Sequence, residues 1–171
     1  LLLLILAAWL GSRFLPPRTP SDRMAIHEFG RLPLIADGRV KPVETLARNT
    51  LRILSNRETF RDASGKSQPA IRWLLDVIAD PQVAENQRVF RILNLEVLDT
   101  LGLRRRQGNL YSVGEIRRGV DEFEKQVARA RECNAAELSV YQRKLLELDQ
   151  RIRAYLRVSV AFQRPELPPL P

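Results

Sequence analysis

The sequence predicts a mainly α domain: a short β-hairpin, then helices, then a long antiparallel helical hairpin at the end. Three observations predict it. Only 8 of the 171 residues are glycine, few for an architecture made of tight turns. From Val43 onward apolar residues recur mostly at steps of three and four, the spacing that gathers side chains on one face of a helix. Asp37-Gly38 carries the one strong hairpin signal, because glycine accepts the positive φ of a tight type I′ turn.

In chain order, Leu32 and Leu34 alternate with Arg31 and Pro33, the period of a half-buried strand. Arg39-Val40-Lys41-Pro42 is the return strand, with Val40 its only inward apolar residue. Pro42 stands where a helix can begin. Val43, Leu46, Ala47, Thr50, Leu51 and Leu54 then form one helical face, and Glu44, Arg48 and Arg52 run down the other at i, i+4 spacing. Arg57 to Ser67 is polar and reads as an exposed loop. A second helix starts at Gln68-Pro69 with a stripe of Ile71, Leu74, Leu75 and Ile78. Trp73 lies off that stripe, so it either widens the buried face or contacts a neighbour. Asp80-Pro81 stops the helix, since proline disfavours helical geometry in the residue before it. Arg88 to Leu93 is compatible with a third strand beside the hairpin. Asn94 can cap a helix holding Leu95, Leu98 and Leu101, closed by Gly102 in the left-handed position.

Ser112 and Glu115 have capping-box spacing, and Ile116, Val120, Phe123, Val127 and Ala130 continue from them in helical period. The pattern breaks near Cys133-Asn134. Asn134 and Glu137 repeat the capping-box spacing, which predicts a second helix start there. Leu138, Tyr141, Leu145, Leu148, Ile152, Tyr155, Ser159 and Phe162 then alternate steps of three and four. Two such stripes joined by a turn make an antiparallel helical hairpin of about 30 and 40 Å arms. One continuous helix is the alternative, since neither Gly nor Pro marks the turn.

Composition excludes several function classes. One cysteine, Cys133, rules out an intrachain disulfide framework and a Cys-based zinc cage. One histidine, His27, cannot build a multi-histidine metal site, and no C-x-x-C-H motif attaches haem covalently. No nucleophile elbow or phosphate-binding glycine loop is present, so no catalytic residues are assigned. The net charge of +8 suits an anionic partner. Nucleic acid is not the expected one, because the basic residues are scattered and no aromatic residues interleave with them.

The chain divides into four stretches. Residues 1–10, LLLLILAAWL, read as the end of a transmembrane helix, with a signal-peptide core as the rival; Trp9 fits an interfacial anchor. Residues 11–26 are a Pro- and Arg-rich tether, 27–163 the mainly helical domain, and 164–171 a Pro-rich exit linker. Arg13 and Arg18 beside the apolar run hint at a cytoplasmic domain by the positive-inside bias, two charges against the extracytoplasmic side implied below.

Three sets of residues are candidates for contact with a ligand or partner. Arg104, Arg105 and Arg106 form the densest charge, either an anion patch or a solvated turn after a helix C-terminus. Arg31, Arg39 and Lys41 flank the hairpin turn, where cations also discourage edge-to-edge pairing. His27, with Met24 nearby, could ligate haem iron in principle, but a lone pair of that kind in a tether is more often incidental.

The run Phe29-Gly30, Leu32-Pro33 and Gly38-Arg39-Val40-Lys41-Pro42, followed by Thr45 and Ala47-Arg48-Asn49, resembles the extracytoplasmic portion of CcsA/ResC-type cytochrome c biogenesis proteins. Weaker echoes are Trp73-Leu74-Leu75 with Asp80-Pro81, Val89 to Ile92, Glu96 to Leu98, Leu101 to Leu103 and Tyr111-Ser112 with Glu115. The resemblance implies a domain of the system II machinery that delivers haem and attaches it to apocytochrome c. It implies a membrane-bound parent, a domain on the extracytoplasmic (periplasmic) side, and a ResB-like subunit or apocytochrome c as partner. It also implies that Gly30, Pro33, Gly38, Arg39, Lys41, Pro42, Thr45, Arg48 and Asn49 are family-motif or docking positions. The family's tryptophan-rich haem motif and haem-ligating histidines have no counterparts here, so haem is expected to be handled by the parent complex and not bound by this segment. The alternative is a basic, membrane-anchored interaction domain that binds a protein partner or anionic lipid and has no link to haem.

Overall fold

The computed structural model describes residues 25–36, 38–134 and 136–162. The stretches expected to be membrane segment, tether and exit linker lie outside these residues, apart from the last residues of the tether. The described residues form eight helices and three antiparallel strand pairs, the mainly α architecture with a short hairpin that the sequence predicts.

Helix α1 (Ile26–Arg31) takes up Phe29 and Gly30, where no helix is expected from the sequence. Gly30 is buried, and a Cβ there would stand 3.3 Å from Glu44 Cβ, so glycine lets α1 lie close on the next helix. Strands β1 (Pro33–Ala36) and β2 (Arg39–Pro42) pair in register Leu34↔Lys41 and Ile35↔Val40. Gly38 has φ +71, the left-handed backbone that the turn requires. Val40, however, is exposed and not inward. A two-residue turn that pairs Ala36 with Arg39 puts Val40 opposite Ile35, on the face away from Leu34. Leu34 therefore packs on the core while Ile35 and Val40 face out together.

Helix α2 (Val43–Ser55) follows its predicted face: Val43, Ala47, Thr50, Leu51 and Leu54 are buried, and Glu44 pairs with Arg48 at 2.6 Å. Arg52 pairs with Glu58 beyond the helix end. The expected loop 57–67 is in fact largely a second hairpin, β3 (Thr59–Arg61) with β4 (Ser67–Pro69). Phe60, the one large apolar residue in that polar run, is buried and anchors it. Helix α3 (Ala70–Ala79) buries Ala70, Ile71, Trp73, Leu74 and Val77. Its buried face is thus rotated toward Trp73, leaving Leu75 and Ile78 half-buried. Asp80 ends α3 and also caps α4 (Pro81–Asn86), accepting the Val83 N–H with proline at the first helical position.

The strand expected beside the first hairpin is β5 (Phe90–Arg91), but it pairs with β6 (Leu110–Tyr111) instead. Asn94 caps α5 (Leu95–Thr100) and Gly102 follows with φ +65, both as expected. Ser112 and Glu115 form the full capping box of α6 (Val113–Arg117). The helical run then breaks at Gly119 before α7 (Val120–Glu132). A Cβ on Gly119 would stand 2.6 Å from the Leu101 backbone, so the break is where the chain passes over α5's end. The last helix, α8 (Val140–Ala161), starts at Ser139 with a Gln142 capping box, not at Asn134. Residues 133–134 and 136–139 lie outside any helix, which removes the continuous-helix alternative.

Helices α7 and α8 pack as the predicted antiparallel pair, tied by Arg131–Asp149, but with arms of 13 and 22 residues, about 20 and 33 Å. Past Ile152 the buried face of α8 moves to Ala154, Tyr155 and Val158, leaving Ser159 half-buried and Phe162 exposed. An unsupercoiled helix drifts about 20° per heptad from a 3.5-residue stripe. Helix α8 also packs on α2. There Tyr155 sits between two core rings, 6.3 Å from Trp73 and 5.7 Å from Phe90 by centroid. Burial pushes the Tyr155 phenol up from its ordinary pKa.

Candidate docking surfaces

The motif residues divide between scaffold and surface. Gly30, Gly38 and Pro42 serve the backbone: a close approach, a tight turn and the residue before α2. Pro33 pairs with Pro42 at the open end of the hairpin, and Thr45 is half-buried. Arg39, Arg48 and Asn49 are exposed, and Lys41 is half-buried opposite Leu34. Beside them Ile35 and Val40 form an outward apolar pair, 79% and 72% exposed. The hairpin is thus an apolar pair bordered by cations, and nothing in the described structure covers it.

The triple arginine does not act as one unit. Arg106 turns inward, its guanidinium 4.7 Å from the Tyr111 ring centre and 2.8 Å from Glu115. Arg88 approaches the same carboxylate at 3.7 Å. Burial opposes ionisation of Glu115, but the Ser112 N–H, the Arg106 hydrogen bond and the two guanidinium charges outweigh it and lower its pKa. Arg104 and Arg105 remain exposed, and the Arg104 carbonyl accepts a hydrogen bond from the Tyr111 hydroxyl. His27 is exposed on α1. Among the described residues no cluster of three or more His, Cys, Asp or Glu is placed to hold a metal ion, and no helix is long and apolar enough to cross a membrane.

Among the described residues, two cavities lie apart from the first hairpin. The smaller, about 420 Å³, lies between the end of α2, the segment after β5 and α8. Ile92, Leu93, Val140 and Leu148 line it, with Arg91 and Arg151 among its cations. Arg151 is already engaged: it donates to the Arg91 carbonyl at 2.6 Å and pairs with Glu147. Lys144's hydrogen bond is the largest influence holding Glu147 below the usual carboxylate range; burial opposes it, and the Arg151 charge supports it.

The larger cavity is an open groove of about 1020 Å³ between the β3–β4 hairpin, α3, α4 and the turn before β6. Arg61, Arg72, Arg88 and Arg106 line it against only two carboxylates, Asp62 and Asp76. Asp62 organises the hairpin loop. Its Oδ1 accepts from the Ser64 N–H and hydroxyl and the Lys66 N–H, and its Oδ2 accepts from Gln68 at 2.6 Å. These bonds, the Ser64 and Gln68 side chains first, lower its pKa from 3.8 to about 2. Gln87 is 8% exposed and donates through Nε2 to Asp76 Oδ2 at 2.6 Å. Its Oε1 is buried without a partner among the described residues, a state that costs about 1–3 kcal/mol.

Sequence reasoning does not find this groove. Its residues come from five segments, and only Arg106 belongs to a charge run that stands out in the sequence. Gln87 and Asp76 lie eleven positions apart, with a helix end and a second helix between them. Compared with models of known protein families and with curated proteins, the sequence matches none.

Proposed function

We propose that this chain is a docking domain of a membrane-bound protein and, following the resemblance of its hairpin segment, one that serves system II cytochrome c biogenesis. In that reading it takes part in haem delivery and attachment by holding a ResB-like subunit or apocytochrome c, on the extracytoplasmic side, while the parent complex handles haem. One observation supports docking above the rest. The family-like run Gly38-Arg39-Val40-Lys41-Pro42 lies on a hairpin whose Ile35 and Val40 face outward beside Arg39. Surface apolar residues rimmed by polar ones mark interaction sites, and a resemblance concentrated on an exposed loop points to recognition more than to packing.

The test uses the full-length protein in cells that make c-type cytochromes. The paired substitution Ile35→Asp and Val40→Asp should abolish covalent haem attachment to apocytochrome c while the protein accumulates normally, because neither side chain is in the core. Unchanged holocytochrome levels would overturn the docking role of the hairpin. The second reading, a basic membrane-anchored module unrelated to haem, is favoured by the net charge of +8, whose basic residues are scattered along the chain and not gathered in one motif. It predicts a reading frame without several further apolar spans and a tryptophan-rich segment, whereas the cytochrome reading requires them.

A further inference from the structure

We propose that the groove lined by Arg61, Arg72, Arg88, Arg106 and Gln87 receives an extended acidic peptide segment of a partner protein. The inference rests on the reading of this chain as a docking domain and names a second face for it, apart from the first hairpin. The Gln87 amide orientation is fixed, because Asp76 Oδ2 at 2.6 Å needs a donor and only Nε2 can supply one. The acceptor Oε1 is therefore the atom left buried and unpartnered. A residue so buried in the lining of an open groove calls for a ligand that brings an N–H or O–H donor.

The charges add a second requirement. Four guanidinium groups face Asp62, Asp76 and the Glu115 carboxylate that Arg88 and Arg106 share, which leaves one positive charge in excess and favours a ligand with negative groups. A fully ionised simple anion meets this requirement but brings no donor to Gln87. An extended peptide meets both, since its backbone N–H groups alternate with side chains that can carry carboxylates. Asp62 and Asp76 are already engaged, the first by Ser64, Lys66 and Gln68 and the second by Arg72 and Gln87, and their charge would repel closely spaced phosphates. Phe60, the one aromatic residue in the lining, is buried, so no free ring is offered to stack a base. The chain's own leading segment is a poor occupant, because Arg13, Arg18 and Arg23 would face four arginines.

The test is fluorescence anisotropy of the full chain with a labelled peptide carrying glutamate at alternate positions, beside its lysine counterpart and a single-stranded oligonucleotide of matched length. Arg61→Glu with Arg88→Glu should weaken the acidic peptide by roughly tenfold or more. Arg104→Glu with Arg105→Glu makes the same change in net charge outside the groove and should leave binding close to wild type. Gln87→Met keeps the volume but removes both the Oε1 acceptor and the Nε2 donor to Asp76, and should also weaken binding in a variant whose melt is unchanged. Thermal melts verify folding, with Arg61→Gln and Arg88→Gln as the milder pair if the charge reversals unfold the chain. Equal losses in both arginine pairs, tighter binding of the oligonucleotide, or no binding of the acidic peptide would overturn the proposal. Docking through Ile35 and Val40 would survive any of these results, because its assay reads a different surface.

Discussion

The two hairpins on either side of α2 are built in opposite ways. The first has the strongest turn signal in the sequence and little anchorage: Gly38 sets the turn, but Ile35 and Val40 point to solvent and only Leu34 reaches the core. The second has no such dipeptide and reads as a polar loop, yet Phe60 is buried beneath it and Asp62 gathers four hydrogen bonds in its turn. A local turn signal fixes where a chain reverses. Whether the reversal is held against the domain depends on a long-range contact. The freely presented hairpin is suited to recognition, and the anchored one to forming the wall of a groove.

Three measurements can break or sharpen that contrast. Phe60→Ala should have the largest effect, about 3 kcal/mol of global stability by denaturant unfolding, because it removes a core ring and leaves a cavity. A loss below about 1 kcal/mol would mean that the second hairpin is not anchored through Phe60. Gly38→Val should cost about 1–2 kcal/mol, since a β-branched residue must adopt φ near +71 although no atom lies within contact distance of the new Cβ. Unchanged melting behaviour would remove the tight turn from this description. Asp62→Asn should have the smallest effect, seen as faster amide exchange in β3 and β4 at neutral pH. The folded pKa of Asp62 lies near 2, below its free value of 3.8. The carboxylate's contribution is therefore complete above the free value and fades as pH falls through about 2. Wild type and variant should converge across that interval, and a constant difference down to pH 2 would assign the stabilisation to another group.

Much of the fold was legible because helix ends are local chemistry. Asn94 and the Ser112–Glu115 box cap their helices through atoms three residues away, and the faces of α2 and most of α7 follow from spacing alone. The failures share a cause. Composition alone points Val40 inward, but the parity that a two-residue turn imposes sends it outward. The helical run through Ile116 to Ala130 looked continuous because nothing nearby announces that Gly119 passes 2.6 Å, by its missing Cβ, from Leu101. Asn134 and Glu137 had capping-box spacing, but it is Ser139 and Gln142 that close the box.

The sequence by itself determined the mainly helical class, the positions of Gly38 and Gly102, the caps at Asn94 and Ser112, and the exclusion of a disulfide framework. These rest on interactions within a few residues, where backbone geometry leaves few choices. Tertiary structure alone decided that Tyr155 would lie between Trp73 and Phe90, that Arg106 would leave its charged neighbours for Tyr111 and Glu115, and that Gln87 would be buried beside Asp76. Each joins segments that meet only when the core closes, and both candidate docking faces depend on how that core turns its side chains.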